Sequence, residues 1–299
     1  MLKTHSGRGL TLLGTAAVVA ISLSGCTAET PTSGSSATEE APAITTLETG
    51  VLKIGSQQSY VPGEYIDSAD NTLKGFAFEI IEKIAADLGL ETEWVQSDYS
   101  ALIAGLQAEQ FDMSSGGMSP NPERLEVVDM VGYFQSGSTF LLRKADEGTY
   151  TDAQSLCGHP VGLLAGSTTL LAAFETENAQ CAADGKDPIE LVEYTTTPLG
   201  QQDLLSERID AYTPDPLQAS KIVAADPDLY AWTEGYYLTQ YTTNFTFLKD
   251  ANPELLQAVF DGVKGLMESG EYDEILAKYD ATAGALTEPA FNGVIGDAP

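Results

Sequence analysis

The chain has 299 residues, with 44 Asp and Glu against 14 Lys and Arg, a formal net charge of −30. So acidic a surface repels phosphate backbones and excludes nucleic acid as a partner. At 43% hydrophobic residues the chain can build a packed core, and its length fits one large domain or two smaller ones.

At the N-terminus, Lys3 and Arg8 precede an uncharged apolar run from Gly9 to Leu23. The run has the length of a signal-peptide core and is short for a membrane span. It closes on Leu23-Ser24-Gly25-Cys26, which resembles a bacterial lipobox. Residues 1–25 are therefore expected to be a lipoprotein signal peptide, with Cys26 as lipid anchor on the outer face of the cell membrane. Residues 26–46 are mostly Thr, Ser, Ala, Pro and Glu, too polar to offset their ordering entropy, and read as a flexible tether. With Cys26 lipidated, Cys157 and Cys181 are left in an oxidising compartment and are expected to form a disulfide. His159 is the one histidine after the signal segment. That excludes a multi-His metal site, and no metal or other cofactor is expected.

The body alternates strands and helices. Val51 to Ile54 reads as a strand, and Ala77, Ile80, Ile81, Ile84, Ala85 and Leu88 follow at helical spacing up to Gly89. Strands at Glu91 to Val95 and Phe111 to Ser114 flank a helix marked by Leu102, Ile103 and Leu106. A second set follows: strands at Pro160 to Leu164, Ile189 to Tyr194 and Ile209 to Thr213, with helices at Thr168 to Glu177, Leu199 to Glu207 and Pro216 to Ala224. Asn244 to Leu248 is a further strand. Asn252-Pro253 can start a helix with one apolar face, and a last helix carries Tyr272, Ile275, Leu276 and Tyr279. From Thr282 the chain is rich in Gly, Ala and Pro and is expected to be loose. Two βαβαβ halves imply two α/β lobes, with ligand loops at the carboxyl ends of the strands.

Those loops carry a consistent chemistry. After Ser114, Gly116 and Gly117 allow close backbone approach, and Ser119-Pro120 reads as a helix start ahead of Arg124. Arg124 is one of three arginines after the signal segment. Its fork suits a carboxylate; a surface pair with Glu123 or Glu126 is the alternative. After Leu164, Ser167 and Thr168 open a helix, where Ser167 can cap and free N–H groups can favour an anion. Asp215 before Pro216 reads as a helix cap or as a carboxylate that holds an ammonium group. Gln57, Tyr60 and Tyr99 stand on the loops after the first two strands. Arginine, two helix starts, an acid and two rings around one cleft match a zwitterion with a side chain.

Ordered motifs across about Leu47 to Asp280 carry a resemblance. They run Gly55-x4-Tyr60-x-Pro62, Leu73-x-Gly75-Phe76-x2-Glu79-Ile80, Leu102-Ile103-x2-Leu106-x4-Phe111-Asp112, Met118-Ser119-x3-Glu123-Arg124-x3-Val128-Asp129, Val161 to Thr168, and Gly270-x-Tyr272-x2-Ile275. This resembles the polar amino-acid family of ABC-transporter substrate-binding proteins. The resemblance implies a two-lobed type II periplasmic-binding-protein fold. Each lobe is then a mixed, mainly parallel sheet flanked by helices, with the lobes joined by a hinge that crosses twice. Lobe 1 is then about residues 47–136 plus 244–287, lobe 2 about 137–243, and 288–299 a loose tail. It also implies that Arg124 binds the ligand α-carboxylate with help from Thr168, Ser167, Gly117 and Ser119. Asp215 holds the α-amino group, Tyr60 and Tyr99 form walls, and Gln57 stands where basic-amino-acid binders carry an acid. Gly63 replaces a common Phe, and Asp215 directly precedes a Pro that usually stands one residue later. The expected partners are a small polar amino acid, neutral or basic, and a membrane permease, with the chain a monomer and not an enzyme. A cyclohexadienyl-dehydratase-like enzyme and a receptor-docking sensor are the alternatives.

Overall fold

The computed structural model describes residues 44–299. The expected signal segment, the expected anchor at Cys26 and nearly all of the expected tether lie outside the described residues.

Lobe 1 opens with β1 (Val51–Ser56), in which Leu52 and Ile54 point into the core. A small antiparallel sheet follows, of β2 (Ser59–Tyr60), β3 (Glu64–Asp67) and β4 (Thr72–Lys74). Next come α1 (Phe76–Asp87), β5 (Glu91–Gln96), α2 (Leu102–Gln107) and β6 (Met113–Met118). Of the apolar residues predicted on one face of α1, Ala77, Ile80, Ile81, Ile84 and Ala85 are buried, while Leu88 is half-buried at its C-cap. Gly55 in β1 is required by packing: a Cβ there would lie 2.4 Å from the Phe111 ring.

The chain leaves lobe 1 along β7 (Val128–Ser138) and builds lobe 2. Its elements are β8 (Leu141–Arg143), β9 (Pro160–Leu164), α3 (Thr168–Ala183), β10 (Glu190–Tyr194), α4 (Thr197–Leu205), β11 (Ala211–Tyr212), α5 (Pro216–Ala225) and β12 (Tyr230–Trp232). It returns through β13 (Thr239–Leu248) into α6 (Pro253–Ser269) and α7 (Glu271–Lys278). Lobe 2 has the strand order β10-β9-β11-β8-β12. Cys157 and Cys181 are joined by a disulfide, with their Cα atoms 5.7 Å apart.

The tail expected to be loose is instead a hairpin, β14 (Ala290–Phe291) and β15 (Val294–Ile295), paired onto β7. Its turn is Asn292-Gly293, with φ of +49° and +89°. That is the residue pair two-residue hairpin turns prefer. The lobe 1 sheet thus runs β15-β14-β7-β13-β6-β1-β5. Parallel pairing holds in the β6-β1-β5 and β10-β9-β11 cores. The hinge strands and the hairpin add antiparallel neighbours to lobe 1.

Candidate functional site

A cleft with about 500 Å³ of empty space, partly open to solvent, lies between the lobes at the carboxyl ends of β1, β9 and β11. Gln57, Tyr60, Tyr99 and Gly117 line it from lobe 1, and Ser167 and Asp215 line it from lobe 2.

Asp215 is the N-cap of α5: its Oδ1 accepts from the Gln218 N–H at 2.9 Å, and Pro216 takes the first helical position. Cap and cavity wall are one residue, so the cap reading of Asp215 does not exclude the ammonium reading. Burial pushes its carboxyl up to about 6, against the pull of the Gln218 and Leu217 N–H groups. No Lys, Arg or His among the described residues pairs with it. Burial and then the nearby Asp215 charge push the Tyr60 hydroxyl well above its usual pKa, yet no hydrogen bond of good geometry joins the two groups. Ser136, on the same wall, likewise has a buried hydroxyl with no protein partner. Buried polar atoms are normally satisfied, so these point to a polar ligand or water.

Arg124 is buried and makes no ion pair with Glu123 or Glu126, which removes the surface-pair alternative. Nη1 donates to Ser119 O at 2.6 Å and to Ser119 Oγ at 3.1 Å, and Nη2 donates across the cleft to Gly166 O at 2.8 Å. Its guanidinium carbon lies 5.7 Å from the centre of the Tyr99 ring. Arg124 therefore stands beside the cavity next to Tyr99 and joins the two lobes there. Ser119 and Thr168 share that clamp. Ser119 Oγ donates to Thr169 Oγ1 at 2.9 Å, and Asn121 Nδ2 donates to Thr168 Oγ1 at 2.7 Å.

Two local expectations are corrected. No helix starts at Ser119; the segment is irregular up to a single 3-10 turn at Arg124–Glu126. The turn is opened by Asn121 instead, whose side-chain Oδ1 takes the Arg124 N–H at 2.8 Å and whose carbonyl takes the Leu125 N–H. Ser167 occupies the N-cap of α3 but makes no side-chain cap bond. The Ser167 and Thr168 N–H groups donate to Leu164 O and Gly166 O, so they are not free for an anion.

Residues 52–282 match the bacterial extracellular solute-binding proteins, family 3. The chain belongs to this family. Among similar proteins, the arginine-binding protein ArgT of Corynebacterium glutamicum is 26% identical over 244 residues, 81% of this chain and 78% of that protein. The L-cystine-binding protein TcyJ of Escherichia coli is 28% identical over 233 residues, covering 78% and 83%. The crystal structure of a mutant of ArgBP from T. maritima superposes with a TM-score of 0.68 at 25% identity, covering 77% of this chain and 95% of that one. An ancestral amino acid-binding protein that is a precursor of cyclohexadienyl dehydratase has a TM-score of 0.66 at 23% identity, covering 77% and 95%, and shows the shared fold alone.

Sequence reasoning missed Tyr241, Tyr212, Thr197 and Gln218 on the cavity wall. Gln218 had a usable signal: three residues after an Asp cap, it sits on the same helix end as Asp215. Tyr241 lies on a hinge strand with no distinctive pattern.

Proposed function

We propose that this chain captures a polar amino acid with a neutral or basic side chain between its lobes and delivers it to an ABC-transporter permease. The observation that carries this reading is Asp215, a buried carboxylate on the cavity wall without a protein cation, among the rings of Tyr60, Tyr99 and Tyr241. A buried charge calls for a partner, and a ligand ammonium supplies one. Arg124 is the group for the α-carboxylate, with Nε and the second Nη2 proton still to be used, while Ser119 holds it directly and Thr168 acts through Asn121. Gln57 is neutral and Tyr60 and Tyr99 are aromatic, which suits an uncharged or cationic side chain better than an acidic one. Relatives named for arginine and cystine binding agree with that range.

Binding and release need no covalent step, and the chain acts as a binding protein, not an enzyme. A dehydratase would need an acid on the cavity other than the ammonium partner. Glu64 is the nearest candidate, but it is fully buried behind Gly116. The test is a thermal-shift screen of the common amino acids, followed by calorimetric titration of the best binder. Prephenate turnover is assayed alongside. Turnover, or a preference for glutamate and aspartate over all others, would overturn the reading.

A further inference from the structure

We propose that the C-terminal hairpin β14–β15 is a positioning device for the Arg124 loop, with Asn292 as its working residue. The inference rests on the reading of Arg124 as the carboxylate anchor. It starts from a problem of geometry. Residues 119–127, between β6 and β7, have one turn of 3-10 helix and no other regular structure. A carboxylate fork nevertheless needs its loop fixed to within about half an ångström.

The hairpin holds the loop at both ends. At the exit, the Asn292 side chain accepts the Met130 N–H at 2.8 Å and donates to Asp129 Oδ1 at 3.0 Å, while its own N–H donates to Met130 O at 2.9 Å. At the entry, Gly293 lies against Pro120, next to Ser119, so closely that a Cβ on it would stand 2.7 Å from the Pro120 ring. Between these ends, Lys249 Nζ holds Leu125 O at 2.7 Å. The turn of the hairpin thus touches the residue before Asn121, whose side chain takes the Arg124 N–H. The match to the family model ends at residue 282, ahead of the hairpin.

A plain edge-covering role for the hairpin would need only its backbone pairing, Ala290 with Gly132 and Phe291 with Val131. It would not need the Asn292 side chain. Asn292→Gly separates the two roles. Glycine keeps the positive φ and the backbone bond but removes both side-chain bonds. Amide hydrogen exchange without ligand and calorimetric titration with L-arginine are then compared for wild type, Asn292→Gly and Arg124→Ala. Asn292→Gly is expected to speed exchange at Arg124, Leu125 and Val127 several-fold, with α1 and α6 unchanged. Its arginine affinity should drop about threefold to tenfold. Arg124→Ala should lose binding while the exchange of α1 and α6 stays as in wild type. Unchanged protection at residues 124–127, or faster exchange with unchanged affinity, would overturn the proposal. If the wild type binds neither L-arginine nor any other common amino acid, the ligand reading fails at the control. The positioning role then falls with it.

Discussion

Two buried acids set the chemistry at the scale of single residues, and they give opposite uses of a raised pKa. Asp215 must be charged to hold an ammonium group. With its carboxyl raised to about 6 by burial, a proton competes with the ligand as pH falls towards and below that value. Affinity for a basic or neutral amino acid should therefore weaken from pH 7 to pH 5. Asp215→Asn should remove that slope and cost about 3–5 kcal/mol, a hundredfold or more in affinity. Titration calorimetry at the two pH values decides it; a parallel slope in the variant would take Asp215 out of the contact. Glu64 is different. Burial pushes it up to about 8, against the hydrogen bond from Ser115, whose Oγ donates at 3.0 Å. The fold keeps a proton on Glu64 that the unfolded chain has released, so between about 4.5 and about 8 the folded state binds more protons. Stability is then largest below that window, falls as pH rises through it, and levels off above it. Glu64→Gln should flatten this part of the profile, read as the difference in urea midpoint between pH 5 and pH 8.5. Asp215 was legible in the sequence because Asp before Pro announces a helix start at a strand end. Arg124 was legible as a candidate, but its carbonyl partners were not, because Ser119 O and Gly166 O come from backbone that only the tertiary fold brings together.

Elements were legible where their pattern was regular. The Asn252-Pro253 start of α6 is as predicted, with Asn252 Oδ1 accepting the Leu255 N–H at 3.0 Å. Asn252→Ala should cost about 1 kcal/mol of stability by urea titration. β7 was illegible for a physical reason: nearly all of its residues are buried on both faces, so no alternation shows. The hairpin at the end of the chain carried the Asn-Gly signal, but strands of two residues give no period to read. The disulfide acts at this scale too. It closes a loop of 24 residues between the start of lobe 2 and α3, which in the chain-entropy picture stabilises by about 3 kcal/mol. Cys157→Ala with Cys181→Ala should lower the urea midpoint accordingly. Loss of ligand affinity in the folded double variant would show instead that the bond shapes the cleft.

For the whole molecule, the question is what favours the closed arrangement. Two strands, β7 and β13, pair along their length from Val128–Leu248 to Ser138–Thr239 and carry the chain between lobes. Beyond them, the lobes meet through the clamp beside the cavity, through Leu164 and Leu217 packed against the lobe 1 cores, and through the Lys221–Asp280 ion pair, which is solvent-exposed on the Asp280 side and contributes little. The clamp is the better candidate for closure. Of its members, Thr169 is not on the cavity wall, and its hydroxyl links α3 of lobe 2 to Ser119 of lobe 1 at 2.9 Å. Such a bond exists only when the lobes are closed, so removing it shifts the open–closed balance without touching the ligand. One neutral hydrogen bond contributes about 0.5–1.5 kcal/mol, so Thr169→Val should weaken ligand affinity about twofold to tenfold. Most of that change should appear as faster dissociation, because the bond forms after encounter. Ser119→Ala removes the same link and also one partner of Arg124 Nη1, so it should cost somewhat more. If both act through the shared hydrogen bond, the double variant should be little worse than Ser119→Ala alone. Stopped-flow and calorimetric measurements on the three variants read both quantities. Fully additive losses would mean that the two hydroxyls act separately. An unchanged dissociation rate in Thr169→Val would mean that the clamp does not hold the closed state.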